Sequence, residues 1–337
     1  MTNKTKSIKT RYLKISEKKK LQNFIQNNYN KNHVLAKDHK MLEYYFLNKQ
    51  NKKLNFVGSF LNKKLIAVCG ILPNKFWDKK LPLDITLSLW INKKKNLVSG
   101  LEPMKYIINK IKPKTLYTVG INENTSAQVF NLFGKIDYFD HYYISNPLIK
   151  PKVSSNLKYL KIKNLKKSSN LTLYKSKNLE CLPSYEYYPK KSIKYFKEKY
   201  IKNPYYNYFF LKIKVNSKIK IFFVCREIFI KKFNRKILRI VDFYGNFSNK
   251  INISNLIINY LKDNKYEYID LLIYGLPTKI VKNFGFQIKN KNQIIPNYFE
   301  PFNNINAKLR LAIIIPPKKA ILVSVKADSD QERPNIS

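Results

Sequence analysis

Two pairs of long apolar runs, one in each half of the chain, are joined by turns of only two or three residues. In the first pair, Leu54–Leu61 and Lys64–Leu72 flank Asn62-Lys63. In the second pair, Tyr206–Val215 and Lys220–Ile230 flank residues 216–218, which read Asn-Ser-Lys. Apolar runs of strand length separated by so short a polar turn are typical of β-hairpins. The sequence therefore predicts one antiparallel hairpin in each half.

The segments that follow each hairpin recur in the same order: strand, helix, strand, helix, strand. In the first half they are Leu83–Ile91, Leu101–Ile111, Thr115–Ile121, Asn124–Phe133 and Ile136–Ile144; in the second half they are Lys236–Phe243, Ile253–Leu261, Tyr268–Ile273, Pro277–Phe284 and Ala312–Ala327. This repetition indicates an internal duplication. We expect a mixed α/β (α+β) chain with two tandem domains, 1–147 and 156–337, joined by a linker at 148–155, each with a central mixed sheet flanked by helices.

The length of 337 residues and an apolar content of 44% are enough for two hydrophobic cores. No apolar run approaches the ~20 residues of a membrane helix, and the polar start Met1–Arg11 lacks the apolar core of a secretory signal. We therefore expect no integral membrane segment, and a protein either free in the cytoplasm or peripheral at the inner membrane. Cys69, Cys181 and Cys225 are widely spaced, which favours reduced thiols.

The net charge of +44 raises the question of a nucleic-acid partner. Only 6 of the 65 basic residues are Arg, the side chain that forks onto phosphate and guanine, and the lysines are spread from Lys4 to Lys326. An A/T-rich coding composition accounts for this pattern. The alternative is a polyanionic partner such as tRNA, a nucleotide-sugar or a membrane surface.

Several short motifs resemble those of the acetyltransferase family known as GNAT, and in particular the doubled GNAT proteins of bacterial surface-polysaccharide and lipopolysaccharide pathways. Leu65–Pro73 resembles the strand that lines the GNAT acceptor site, and Val119–Asn122 with the N-x-x-A segment 124–127 resembles the GNAT strand and helix start. In the second half, Leu238–Gly245, Ile295–Phe302 and Lys326–Asn335 are similar to that group. The resemblance implies two GNAT-like domains and an acyltransferase that uses acetyl-CoA or another acyl-CoA.

The same resemblance implies where the acyl-CoA would bind. In GNAT proteins the pyrophosphate rests on backbone N–H groups at a helix N-terminus, which here would follow the basic loop before Leu101. The residues implied in cofactor binding are Lys93, Lys94, Lys95, Asn96, Gly100 and Asn124. The loop is equally explained as a solvated basic loop, and Asn124 as the N-cap of its helix. We place the acyl donor in the first domain and the acceptor in the second.

Four residues are candidates for acid–base catalysis. Asp242 and Asp270 stand near the carboxyl ends of adjacent predicted strands, where open sheets place ligand groups. Tyr142, with its neighbour Tyr143 or His141 as the alternative, could supply the proton that a GNAT enzyme gives to the leaving thiolate. Arg239 is either a substrate-binding residue or the structural counter-ion of one of the two aspartates.

Asn297, Tyr298 and Glu300 lie between two prolines, and this polar and aromatic pattern is typical of a loop over a sugar pocket. The histidines, His33, His39 and His141, have no metal-ligand spacing, so no metal site is expected.

Three functions follow from these observations. The first is N-acetyl transfer from acyl-CoA to an amino group of a small-molecule or lipid-linked sugar during surface-glycan assembly. The second is an aminoacyl-tRNA-dependent transferase of the doubled-GNAT type, because a basic chain suits tRNA. The third is a non-catalytic binding or scaffold protein. The loop before Leu101 has one glycine and the corresponding segment Asn246–Lys250 has none, whereas GNAT phosphate loops carry a glycine pair.

Overall fold

The computed structural model describes residues 7–93, 97–123, 126–160, 170–248, 250–300 and 302–330. In chain order the strands are β1 Lys9–Lys14, β2 Leu47–Asn48, β3 Lys53–Leu61, β4 Lys64–Pro73, β5 Asp84–Asn92, β6 Thr115–Val119, β7 Lys135–Tyr138, β8 Asp140–Ser145, β9 Leu171–Ser176, β10 Tyr208–Val215, β11 Lys218–Ile230, β12 Arg235–Gly245, β13 Tyr266–Tyr274, β14 Gln287–Ile288, β15 Tyr298–Phe299, β16 Phe302–Asn303, β17 Arg310–Ile315 and β18 Ser324–Val325. The helices are α1 Lys18–Asn28, α2 Val34–Lys37, α3 His39–Phe46, α4 Asn74–Trp77, α5 Leu97–Tyr106, α6 Ser126–Phe130, α7 Ile193–Phe196, α8 Ser254–Asp263 and α9 Thr278–Asn283.

The chain folds into two compact units. The first contains the described residues up to Lys135, together with Ala312–Pro316 and the segment that begins at Ser329. The second contains Ile136–Leu311 and Pro317–Asp328. Residues 148–155, expected to be a linker, belong to the second unit, where Val153 and Ser154 are buried. Their backbone N–H groups bond to the buried carboxylate of Glu267, so this polar segment packs as part of the fold.

The first unit is built on one mixed sheet. Its strands run β1-β3-β4-β5-β6, and β17 lies on the other side of β6. The pairs β1–β3, β3–β4 and β4–β5 are antiparallel, whereas β5–β6 is parallel. Buried side chains of α1 and α3 pack in the core of this unit, among them Leu21, Ile25 and Phe46. The first half of the sequence thus forms the predicted mixed sheet with helices.

The second unit repeats this arrangement. Its strands run β9-β10-β11-β12-β13, followed by β8 and β14. Again three antiparallel pairs lead to one parallel pair, β12–β13. The amphipathic helix α8 buries Ile257, Ile258 and Leu261. The repetition read from the sequence is therefore present in the strand order.

Each sheet also takes a strand from a distant part of the sequence. The sequence places Ile136–Ile144 at the end of the first half, but β8 pairs antiparallel with β13 and β14 in the second sheet. Conversely, β17 from the end of the chain lies beside β6 in the first sheet. Alternation of apolar residues identifies a strand but not its pairing partner, and for this reason the sequence assigned β8 to its nearest neighbours.

Both predicted hairpins are present, and both have two-residue turns. Leu61 pairs with Lys64, and Val215 pairs with Lys218. The turn residues Asn62, Lys63, Asn216 and Ser217 have φ angles of 49°, 63°, 48° and 64°. Two consecutive residues with positive φ define the turn whose twist matches that of the flanking strands.

Two further features bear on function. Within the described ranges, no helix has the length and apolar character needed to cross a bilayer. The same residues contain no group of three side chains suited to hold a metal ion.

Candidate functional site

The parallel strands of the first sheet separate partway along their length. β5 and β6 pair from Asp84 with Thr115 to Leu87 with Thr118, and β6 ends one residue later. β5 continues through Ser88–Asn92, where its only partner strand among the described residues is β4. The register between β4 and β5 shifts between Cys69 and Ile71, opposite Ser88 and Leu89. This bulge bends β5 at the point where the strands part, so a notch opens between β5 and the end of β6.

Trp90 fixes the elements around this notch. Its indole N–H donates to the carbonyl of Gly100 in α5 at 2.8 Å, and its ring meets the buried ring of Phe130 in α6 edge-on at 5.1 Å. Gly100 in turn lies against Asn92, whose side chain a Cβ at this position would approach to 3.2 Å. The free end of β5 and the two following helices are thereby held together.

Polar groups converge where the two strands part. The carbonyl of Leu87 accepts hydrogen bonds from the hydroxyls of Thr118 and Ser329, each at 3.4 Å. The Ser329 hydroxyl also lies 3.1 Å from the Asp330 carboxylate, the alternative acceptor for its proton, and both residues are buried. The buried hydroxyl of Ser88 has no hydrogen-bond partner among the described residues. A buried polar atom without a partner is costly, and a ligand in the notch could satisfy it.

The corresponding position in the second sheet is closed by the chain itself. β12 and β13 pair in parallel only as far as Ile240 with Leu271. Beyond this point β18 pairs with β13, joining Val325 to Ile273 and Ser324 to Tyr274. The approach is close: a Cβ on Gly275, whose φ is +95°, would lie 1.9 Å from the carbonyl oxygen of Leu322. The second notch is thus filled by a strand.

Asp242 lies beside this closed notch in a buried polar network. Its carboxylate accepts from the Lys191 ammonium at 2.5 Å, the Tyr200 hydroxyl at 2.6 Å and the backbone N–H of Phe243. Lys191 also lies 3.1 Å from the Asp328 carboxylate. Although burial lowers the pKa of Lys191, the charges of Asp242 and Asp328 outweigh it, so that the net shift is upward. The carboxylate of Asp242 is therefore engaged by three donors, and its predicted catalytic role stays a prediction.

Asp270 forms a second buried cluster with His141 and Arg239. Arg239 donates to both carboxylate oxygens of Asp270, at 3.1 and 2.6 Å, and His141 Nε2 lies 2.8 Å from Oδ2. Burial alone would raise the pKa of Asp270, but the charge of Arg239 and the hydrogen bonds from His141 and Arg239 lower it to about 2. Burial lowers the pKa of His141 and outweighs the opposing effect of Asp270. A neutral imidazole donating Nε2–H to an ionised carboxylate fits both shifts.

The loop that begins at Asn297 packs onto the same cluster. Arg239 donates to the carbonyls of Pro296 and Asn297, both at 2.9 Å, and its guanidinium lies 4.5 Å from the Phe299 ring centroid. Lys326 donates to the Asn297 carbonyl and lies over the Tyr298 ring. The Asn297 side-chain oxygen is buried without a partner among the described residues. The structure thus brings Asp270, His141, Arg239, Asn297 and Tyr298 together in the second unit.

Glu300 and Tyr142 have other polar partners. Glu300 is hydrogen-bonded to the Tyr206 hydroxyl and lies 3.9 Å from Arg226. The Tyr142 hydroxyl donates to the Asp140 carboxylate at 3.1 Å and lies 3.2 Å from the Thr278 hydroxyl. Burial is the main cause that raises the pKa of Tyr142, which makes the hydroxyl a poorer proton donor. In the first unit, Lys93 is exposed at the end of β5, while Lys94, Lys95, Asn96 and Asn124 lie outside the described residues.

The sequence did not single out Lys191, Tyr200, Ser88 or Trp90. Lys191 and Tyr200 lie between positions 187 and 200, where nine residues are Lys or Tyr, so that composition hides the buried pair. Ser88 and Trp90 belong to an apolar run that indicates a strand. The one available signal was that this predicted strand is longer than the strand Thr115–Ile121, which implies an unpaired end.

No protein-family model matches the chain, and none of the curated proteins matches it. Solved structures, in contrast, match the chain. The chain is similar to a GCN5-related N-acetyltransferase from Anabaena variabilis, with a TM-score of 0.52 and 9% identity over 91% of this chain and 73% of that one. A probable N-acyltransferase from Enterococcus faecalis aligns with a TM-score of 0.47 and 7% identity, over 92% of this chain and 73% of that one. N-myristoyltransferase from Saccharomyces cerevisiae aligns with a TM-score of 0.40 and 10% identity, over 93% of this chain and 81% of that one.

These similarities concern the fold. Together with the two matching strand orders, the similarity to the Anabaena acetyltransferase confirms the prediction of a mixed α/β chain with tandem GNAT-type domains. The activity is a separate matter, because one fold serves many functions and function resides in the site.

Proposed function

We propose that the protein is an acyltransferase whose first unit binds the thioester arm of an acyl-CoA in the notch between β5 and β6. The observation that carries this proposal is the early end of the parallel pairing at Leu87 and Thr118, opposite the bulge in β5. Five further residues of β5, Ser88–Asn92, then face the notch without a second partner strand in the described part of the chain.

The residues present fit an extended amide-containing ligand. An unpaired strand edge offers alternating N–H and C=O groups, and pantetheine carries two amides that can pair with such an edge as an added strand. Lys93 lies at the end of this edge, and α5 begins at Leu97. A positive side chain and the N-terminus of a helix both favour the negative charge of a pyrophosphate. We retain Lys94, Lys95, Asn96, Gly100 and Asn124 as proposed parts of this cradle.

Acyl-CoA supplies an activated carbonyl carbon when bound. In the proposed reaction an acceptor amine attacks that carbon, the C–N bond forms and the C–S bond breaks. The proton lost by the amine is transferred to the departing thiolate, which yields the free thiol. The chain contributes orientation and hydrogen-bond donors at the bend of β5, where fixed backbone dipoles can stabilise charge that develops on the oxygen.

The proposed acceptor is an amino sugar, small or lipid-linked, used in surface-glycan assembly. Its support is the motif resemblance and the cluster in the second unit, where the buried Asn297 oxygen and the Tyr298 ring offer the amide and aromatic groups that sugars use. Asp270, His141, Arg239, Glu300, Asp242 and Tyr142 remain the residues proposed for acceptor binding or proton transfer.

Isothermal titration with acetyl-CoA tests the donor site. We expect measurable binding that Ser88→Trp weakens by about tenfold or more, because a large side chain at the bend would occupy the notch. Thr172→Trp, an exposed position on β9, is the size-matched control and should bind as the unmodified protein does. Circular dichroism verifies that both variants are folded.

The absence of heat at millimolar acetyl-CoA with folded protein would overturn the donor site. In that event the two alternatives are separated by tRNA binding as a function of salt. An aminoacyl-tRNA-dependent transferase should lose affinity steeply as ionic strength rises, with a slope that reports several phosphates. A non-catalytic scaffold should bind neither ligand.

A further inference from the structure

One end of the β11–β12 hairpin in the second unit carries an unusual density of positive charge. The turn that links β11 and β12 reads Lys-Lys-Phe-Asn at 231–234 and is followed by Arg235 and Lys236. Beside it lies a pocket of about 460 Å³ whose lining includes the cations Lys150, Arg235, Lys236 and Lys265 and the apolar residues Leu148 and Phe229. We call these six residues the basic face.

Two of the four cations have no carboxylate at ion-pair distance among the described residues, and the other two lie 3.9 Å from one. Among the described residues, Lys150 and Lys265 form no ion pair, and the Arg235 Nε is buried without a hydrogen-bond partner. Arg235 Nε lies 3.9 Å from Glu267, whose carboxylate already accepts from three backbone N–H groups and the Ser154 hydroxyl. Lys236 lies 3.9 Å from Glu227, which accepts from the Tyr266 hydroxyl. The pocket therefore attracts an anion.

Two large apolar side chains of the basic face are directed to solvent. Leu148 is 74% exposed and Phe229 is 53% exposed. Exposed apolar groups next to lysines are characteristic of surfaces that enter the boundary of a bilayer, where the apolar side chains reach the acyl region and the cations meet phosphates. A soluble phosphate would satisfy the cations but would leave Leu148 and Phe229 in water.

A nucleic acid explains these residues less well. Leu148 cannot stack on a base, and three of the four cations are Lys, which binds phosphate as a point charge without the bidentate geometry of Arg. We therefore propose that the second unit docks on an anionic lipid surface through the basic face, with a lipid phosphate in the pocket and Leu148 and Phe229 in the interface. The proposal does not depend on the acyltransferase assignment.

Co-sedimentation with vesicles tests the docking. We expect the protein to bind vesicles that contain phosphatidylglycerol and to bind pure phosphatidylcholine weakly, at near-physiological ionic strength. The variant Lys150→Glu/Lys236→Glu/Lys265→Glu should lose about 100-fold in partition coefficient. The control Lys31→Glu/Lys49→Glu/Lys63→Glu changes the net charge equally at exposed positions of the first unit, and it should lose far less.

A second pair of variants tests the apolar contribution. Leu148→Ala/Phe229→Ala should weaken binding by roughly tenfold. Leu132→Ala/Ile305→Ala, which removes side chains of 75% and 51% exposure elsewhere, should bind as the unmodified protein does. Brominated lipid should quench the fluorescence of Phe229→Trp more than that of the unmodified protein, which contains Trp77 and Trp90, whereas Leu132→Trp should show no added quenching.

Three results would overturn the proposal. Equal losses in the two charge-reversal variants would show that diffuse charge, and not the basic face, drives binding. Unquenched tryptophan at position 229 would exclude insertion. Preferential binding of tRNA at physiological salt, abolished by the charge reversal of the basic face, would assign that face to a nucleic acid.

Discussion

Arg239 illustrates how one buried side chain joins three parts of the second unit. It lies on β12, forms an ion pair with Asp270 on β13, and donates to the carbonyls of Pro296 and Asn297 in the following loop. Every one of these partners is buried, so the guanidinium replaces water for several groups at once. The ion pair that the sequence offered as a structural alternative for Arg239 is present, and a binding role would have to use the same cluster.

Replacement of Arg239 by Met should be strongly destabilising, because it leaves the Asp270 charge buried without its main partner. We expect a decrease of about 3–5 kcal/mol in the free energy of unfolding, measured with urea. Arg11→Met breaks the partly exposed pair with Glu17 and should cost about 1 kcal/mol or less. Similar losses in the two variants would contradict the importance assigned to burial.

His141 should make stability depend on pH. Because burial lowers its pKa in the folded state, the unfolded chain binds a proton first as the pH falls below about 6.5, and the folded state is then disfavoured. We expect the thermal midpoint to fall more steeply between about pH 7.5 and 5.5 in the unmodified protein than in His141→Gln. His39→Gln, at an exposed position, is the control and should retain the steep dependence.

At the level of elements, the two hairpins show where short turns are strained. Lys63 and Ser217 occupy the second turn position with positive φ, a conformation that is unfavourable for residues with a Cβ. Lys63→Gly and Ser217→Gly should each raise the free energy of unfolding by about 0.5–1 kcal/mol. This gain is the backbone strain that glycine removes, minus the conformational entropy that glycine adds to the unfolded chain. Gln26→Gly, at an exposed position within α1, should lower it by a similar amount. A loss of stability in the turn variants would contradict this account.

Elements with strong local signals were predictable from the sequence. Hydrophobic periodicity and turn residues act within a few positions of the chain. These local signals predict the hairpins, the strands β12 and β13 and the amphipathic helix α8. The sheet to which β8 and β17 belong could not be predicted, because pairing between segments more than a hundred residues apart leaves no local pattern in the sequence. For the same reason the contact of His141 with Asp270, 129 positions away, could not be anticipated, although both residues were candidates.

For the whole molecule, the two similar sheets differ in the state of their notches. The described part of the first sheet leaves Ser88–Asn92 free on one side, whereas β18 fills the equivalent place in the second. If acyl-CoA binds as proposed, equilibrium dialysis should give one molecule per chain and not two. A stoichiometry of two would show that β18 is displaced by ligand.

The first unit is assembled from segments that lie far apart in the sequence, which affects the order in which it can fold during synthesis. Ala312–Pro316, which contains most of β17, and the buried residues Ser329 and Asp330 follow Ile136–Leu311 of the second unit in the chain, so a ribosome makes them after it. The nascent first unit therefore lacks a sheet strand and a hydrogen bond at Leu87 until most of the second unit has been synthesised. Completion of the notch between β5 and β6 should accordingly be a late event, and a chaperone that shields the open edge of β6 would assist it.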